Sequence, residues 1–362
     1  MQHFYLKDIV DEISVRENNP SSSGYDRFIG LEHYVSGEVE IHDFGSTSNL
    51  ASAMKVFKSG DILIARRNVY LRRAGIVKFD GLTSGDSIVL RAKNERIAKL
   101  LPFIFNTSEF WDYADQNADG TMSKRLSPRI LLEYEINLPE PEEQEKLADL
   151  LWAAEETRQA YKKLIKQTDD LVKAKFEEMF GDINKTTGTE KITNIVEIRD
   201  DLRAPLNDAE RADLKEGVLY PYYGATGCVD HINKYKIDFK AICIAEDCGN
   251  YAANAETSYI INEKCWVNNH AHVLSVKEDK CITEFLNYYF KIMDFTNYIS
   301  GTTRAKLTRG KLEQIMIKLP ELSAQKIFVD FLKQAEQTKL ATQQSLDALN
   351  ETVRALVNRN FN

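Results

Sequence analysis

Four arginines, Arg66, Arg67, Arg72 and Arg73, fall within eight residues and are interleaved with Tyr70. Guanidinium groups neutralise phosphates and make bidentate contacts to guanine edges, and a tyrosine stacks or hydrogen-bonds beside them. Two further basic groups lie downstream: Lys124, Arg125 and Arg129, then Arg304, Lys306, Arg309 and Lys311. Any one of these cations would suit a solvated surface equally well. Their recurrence at matching places in two related segments points to one anionic partner, DNA.

Signatures of catalysis are missing. The chain has no GxxxxGK[ST] phosphate loop, no GxGxxG after a strand and no GxSxG elbow. Nor has it the Asn/Asp-Pro-Pro-Tyr/Phe run that amino-methyltransferases place around a target base. Asp61 and the Glu246-Asp247 pair suggest nuclease carboxylates, but no Glu-x-Lys partner follows, and carboxylates at strand ends are more often structural. His270 and His272, with Cys265 nearby, have the look of metal ligands, yet a second paired ligand group is lacking. Local hydrogen bonds of a polar loop entering a strand account for them better.

Charge sharpens the picture. The chain of 362 residues carries 47 basic and 55 acidic side chains, net −8, which disfavours a protein that coats nucleic acid by bulk charge. Residues 1–141 hold 17 basic and 20 acidic side chains, and residues 181–322 hold 18 and 21, so neither is basic overall. Duplex affinity comes largely from phosphate neutralisation. The chain alone is therefore expected to bind DNA weakly, with partners supplying much of the positive surface. No apolar run reaches the roughly 18–20 residues of a membrane helix, and the N-terminus has no signal-peptide core. Five cysteines without a CxxC pair suit free thiols in a reducing cytoplasm.

The elements that must position these residues are written twice. GTMSKRLSPRILLEYEINLPEPEEQEKLADLL from Gly120 aligns without a gap with GTTRAKLTRGKLEQIMIKLPELSAQKIFVDFL from Gly301, at an offset of 181, half the chain. Leu126 matches Leu307, Leu138-Pro139-Glu140 matches Leu319-Pro320-Glu321, and Gln144 matches Gln325. Upstream, Ile62–Ala65 resembles Ile242–Ala245, and Phe105, Phe110 and Tyr113 resemble Phe290, Phe295 and Tyr298. Between these anchors the halves diverge, as a shared scaffold with two different readers would.

Each repeat ends in a long proline-free stretch with an apolar stripe, from about Glu142 to Phe180 and from about Ser323 to Asn358. Helices of this length exceed what a domain of ordinary size can cover, so they are expected to pair as a coiled coil, antiparallel if the halves are related by a pseudo-two-fold axis. The expected fold is α/β, with globular halves at 1–141 and 182–322 and long helices at 142–181 and 323–362. Strands are expected at Asp61–Ala65, Gly75–Phe79, Ser87–Ala92, Ala241–Ala245, Ser258–Ile261 and Ala271–Val276, with helices at about Ala98–Ala114 and Ile282–Ile299.

Two variable halves, each closing on Gly-Thr…Leu-Ser/Thr…Leu-Pro-x-x-x-x-Gln and a long helix, resemble the specificity subunit of type I restriction-modification systems over essentially the whole chain. The runs Tyr220-Pro221-Tyr222-Tyr223-Gly224-Ala225-Thr226-Gly227 and Asn269-His270-Ala271-His272-Val273 also look like sequences that recur in that family. The first half lacks the tyrosine run, which implies a different class of reader there. The resemblance implies two tandem target recognition domains reading a bipartite double-stranded DNA target, with the helices as a ruler and Tyr222 and Tyr223 among the DNA contacts. It implies two docked methyltransferase subunits, which flip the target adenine and use S-adenosylmethionine, and restriction subunits using ATP and Mg. The chain itself would bind no cofactor or metal and catalyse nothing. Rival readings are a self-contained restriction endonuclease, which would cleave DNA by itself with a metal ion, and a protein-only coiled-coil scaffold, which would show no sequence-selective DNA binding.

Overall fold

The same small sheet is built twice. The computed structural model describes residues 1–185, 188–301 and 305–361 and divides into two compact units, Met1–Lys163 with Thr342–Asn362, and Leu164–Ala341. In unit 1 a four-stranded antiparallel sheet runs in the order Val10–Glu12, Ser87–Ala92, Ile62–Ala65, Ala74–Ile76. In unit 2 the order is Val196–Ile198, Ala271–Val276, Ala241–Ala245, Ser258–Ile261, again antiparallel throughout. The central pair keeps its register: Ala65 faces Ser87 and Ala245 faces Ala271. Ile62–Ala65 and Ala241–Ala245 are buried at every position, which is why they read as unbroken apolar runs.

The divergent stretches form unlike second sheets. Unit 1 adds five strands in the order Arg16–Glu17, Met54–Phe57, Gly81–Thr83, Arg27–Ile29, Gly45–Ser46. Unit 2 adds three, Gly227–Ile232, Tyr220–Gly224 and Trp266–Val267. The first expected helix is two, Glu95–Ile104 and Ser108–Asn117. The chain turns at Phe105–Thr107, where the Thr107 hydroxyl accepts from Phe110 N and caps the second. In unit 2 the helix Thr283–Ile292 stops short of the expected Ile299.

The long helices are Pro141–Phe180 and Leu322–Phe361, 40 residues each, or about 60 Å at 1.5 Å per residue. Within unit 1, Leu147, Ala148 and Leu151 from the start of the first share a core with Val357 and Phe361 from the end of the second. Within unit 2, Val172, Phe176 and Phe180 share one with Phe328, Val329 and Leu332. In each unit the beginning of one helix meets the end of the other, so the paired segments run antiparallel. Phe176 lies 5.1 Å from Phe328 and 5.8 Å from Phe285, centroid to centroid. Burying it fully is worth about 1.5–3 kcal/mol.

The Leu-Pro-x-x-x-x-Gln repeat has a structural cause. Gln144 and Gln325 are buried, and each donates from Nε2 to the carbonyl of the repeat proline, Pro139 or Pro320, at 2.8 Å. Gln325 Oε1 also accepts from Ile282 N at 2.8 Å, tying the long helix to Thr283–Ile292. Gln325→Leu removes that acceptor and strands a buried amide, so unit 2 should lose about 1–3 kcal/mol in urea unfolding. An unchanged midpoint would show that the amide finds another partner at no cost.

Candidate nucleic-acid interface

The ends of each repeat loop are tied together by backbone hydrogen bonds beside the end of the central strand. Asp119 and Arg125 exchange both backbone hydrogen bonds, at 3.1 and 2.8 Å, and their repeat equivalents Ser300 and Lys306 do the same, at 3.0 and 2.9 Å. Leu126 N then donates to Arg66 O, and Leu307 N to Glu246 O, both at 2.8 Å. Gly120 and Gly301 open the loops with φ of +99° and +98°, in the left-handed region that favours glycine. The two repeated glycines are therefore a backbone requirement of one shared loop.

The loop cation is anchored differently in the two units. In unit 1, Arg125 reaches Asp86 at 2.7 Å, and Arg67, on the neighbouring strand end, lies 3.8 Å from the same carboxylate. In unit 2, Lys306 lies 3.6 Å from both Glu246 and Asp247, which stand where unit 1 has Arg66 and Arg67. Asp247 also meets His270 at 2.8 Å, and His270 stands where unit 1 has Asp86. One cross-strand polar pair thus occurs in both units, with the carboxylate on opposite strands.

The arginine cluster divides into inward and outward groups. Arg73 donates to Leu31 O at 2.9 Å and to Arg67 O at 3.3 Å, so it braces the loop. Arg66 is half-buried, and its backbone carries the bond from Leu126. Arg67, Tyr70 and Arg72 are exposed. Asn68 and Arg72, at φ +55° and +49°, bracket the turn Val69–Leu71 that presents Tyr70. Left-handed backbone at an arginine is costly and is concentrated at functional sites. Arg72 pairs with Asp112 at 3.0 Å and Lys124 with Asp115 at 2.8 Å; Arg129 is exposed and, among the described residues, has no ion-pair partner. Solvent-exposed pairs of this kind contribute about 0–1 kcal/mol, so a phosphate exchanges readily for the carboxylate.

In unit 2, Arg309 pairs with Glu313 at 2.9 Å, Lys311 is half-buried, and Arg304 lies outside the described residues. Tyr222 is a correction to its expected role as a DNA contact. It is fully buried, its hydroxyl accepts from Leu206 N at 2.9 Å, and Arg211 covers its ring. It is thus a core residue of the three-stranded sheet. Tyr223, on the opposite face, stacks on Tyr259 and donates to Glu263 at 2.8 Å. Burial, followed by the hydrogen bond to Glu263, pushes its phenol well above the ordinary range.

The hydrogen bonds expected to be local at His272 are instead long-range, in a buried polar network behind the unit 2 loop. His272 is wholly buried, with Nδ1 2.8 Å from Asp200 and Nε2 2.7 Å from Leu307 O. Both nitrogens face acceptors. Arg203 also reaches Asp200 at 3.1 Å and Glu246 at 2.7 Å. Burial alone would raise Asp200, but the His272 hydrogen bond and the His272 and Arg203 charges outweigh it and hold the carboxyl below the usual range. Asp61 is buried too and held bidentately by Arg91 at 2.7 and 2.8 Å, a structural pair. Among the described residues, no three His, Cys, Asp or Glu side chains gather as metal ligands would.

Each unit thus carries a four-stranded sheet and a repeat loop with a cation at its closing end. Residues 184–351 match the family described as type I restriction modification DNA specificity domain. A putative type I restriction enzyme specificity subunit of Haemophilus influenzae is 34% identical over 156 residues, 41% of this chain and 40% of the relative. The match thus spans about two-fifths of that relative's length. The fold matches a solved S subunit of a type I restriction-modification system from M. genitalium, at TM-score 0.63 and 13% identity over 100% of this chain and 96% of the other. A second solved chain comes from work on complex assembly and conformational transition of the type I R-M system. It matches at TM-score 0.57 and 17% identity, over 99% and 97%.

Proposed function

We propose that this chain is the non-catalytic DNA-reading subunit of a type I restriction-modification complex, with each unit reading one half of a bipartite duplex target. The observation that carries this reading is the doubled scaffold. The four-stranded sheet and its cation-bearing loop are kept in both units, while the second sheet differs completely. Equal docking onto DNA with unequal reading is what a split, asymmetric target requires. The long helices set the number of base pairs between the half-sites. Two methyltransferase subunits dock on the chain and restriction subunits join them. S-adenosylmethionine, ATP and Mg belong to those partners, and the assembly works in the cytoplasm. Among the described residues no helix is long and apolar enough to cross a membrane.

In unit 1 the residues that touch DNA are Arg67, Tyr70, Arg72, Lys124, Arg125 and Arg129. In unit 2 they are Tyr223, Arg304, Lys306, Arg309 and Lys311. Replacing Arg67 and Arg72 together by alanine should relax one half-site only, by about 1–3 kcal/mol for each bidentate pairing with a base that the substitution abolishes. Methylome sequencing of a host carrying the variant with its methyltransferase reads this directly. Equal weakening at both half-sites would refute the division of labour. Metal-dependent cleavage by the purified chain alone would refute the non-catalytic assignment.

A further inference from the structure

Each unit contains a cleft where the paired helix segments meet the globular part, about 550 Å³ in unit 1 and about 500 Å³ in unit 2. The two clefts are one feature made twice. Leu151, Ala154 and Val353 line the first, and Leu332, Ala335 and Val172, each displaced by 181, line the second. Phe103 and Tyr288, on equivalent helices, line the remaining wall.

The charge of the clefts differs in sign. The unit 1 cleft is lined by Arg72, Arg158, Arg354 and one acid, Glu155, net +2. The unit 2 cleft is lined by three lysines and four carboxylates, net −1, and Asp169 stands where unit 1 has Asn350. Arg158 is held by Glu155 and Glu38 and Arg72 is assigned to DNA, so the cation that faces a ligand is Arg354. Arg354 is exposed and has no ion-pair partner among the described residues. In unit 2, Lys339 is already spent on Asp169.

We propose that both clefts seat the same acidic segment of a repeated partner subunit, and that the unit 1 cleft holds it more tightly and with a steeper dependence on salt. Electrostatic complementarity sets the order. One segment cannot complement both clefts, and an acidic one gains at +2 while losing little at −1. Apolar packing against the shared leucine, alanine and valine walls is common to both clefts and insensitive to salt. The two copies are therefore recruited unequally, unit 1 first. This inference rests on the docking of two like methyltransferase subunits proposed above.

The test is a titration of the full chain with its methyltransferase subunit, with native mass spectrometry counting bound copies at low and at high ionic strength. Two stepwise constants are expected, the first falling with salt and the second nearly flat. Arg354→Glu should weaken the first step about five-fold and flatten its salt dependence, and Arg354→Lys should restore it. Lys173→Glu, at the equivalent place in unit 2, should leave the first step alone and weaken the second. Thermal melts of each variant confirm folding. Two copies bound with equal salt dependence, or an Arg354→Glu variant whose first step is unchanged, would overturn this inference and leave the docking of two subunits standing. No copy bound to the folded wild-type chain would overturn both.

Discussion

Inserting four residues into the first long helix between Leu164 and Lys175 is expected to lengthen the gap between the half-sites while both half-site sequences stay the same. Four helical residues add about 6 Å along the axis, against about 3.4 Å per base pair of duplex, so the gap grows by one or two base pairs. The choice of four matters. At 3.6 residues per turn the insertion rotates the downstream residues by about 40° beyond a full turn, so Val172 and Phe176 keep nearly their present faces. An insertion of two residues turns them by about 200°, takes Phe176 out of the core it shares with Phe285 and Phe328, and serves as the control that unfolds unit 2. Methylome sequencing gives the spacing. An unaltered gap in a folded four-residue variant would remove the helix from its role as a ruler.

His272→Leu is expected to destabilise unit 2 by about 1–3 kcal/mol, the cost of leaving buried hydrogen-bond acceptors without their donor, while Arg203 still faces Asp200. The same substitution removes the donor to Leu307 O, the point where the repeat loop is fixed to the sheet. Selectivity should therefore fall at the half-site read by unit 2 and hold at the other. The acid limb of the stability curve follows from Asp200. Its folded pKa lies below the unfolded one, so its contribution is present above about pH 4 and is lost as pH falls through the folded value. In the variant that limb should shift to higher pH. A melt and an acid limb like those of the wild type would show that the buried pair stabilises nothing.

The elements dictated by long-range periodicity were legible in the sequence. The two long helices begin and end within a few residues of the expected positions, because a long apolar stripe opened by a Pro-containing stop in both, and closed by Gly181 in the first, leaves few alternatives. Ser87–Ala92, Ala241–Ala245 and Ala271–Val276 match as well, being short apolar runs bounded by polar turns. What depended on a third dimension was hidden. Thr107 splits a continuous helical pattern by capping its second part. Tyr222 and Tyr223 look alike in sequence, and only the alternation of a strand sends one inward. The charge cluster at Arg66–Arg73 was visible as a composition, but its sorting into braces and exposed cations needs the carbonyls of Leu31 and Arg67. The polar network at His272 was invisible because Asp200 is 72 residues away.

The exchanged cross-strand pair bears on how such proteins diversify. Arg67 with Asp86, and Asp247 with His270, sit on neighbouring strands of equivalent hairpins. A crossover that carried one strand from unit 2 into unit 1 would set arginine against histidine, or aspartate against aspartate, beneath the repeat loop. One that carried the whole hairpin would keep a matched pair, and the loop cation, Arg125 or Lys306, would find its acid in either case. Exchange of the whole hairpin therefore keeps these contacts together, whereas exchange of one strand breaks them.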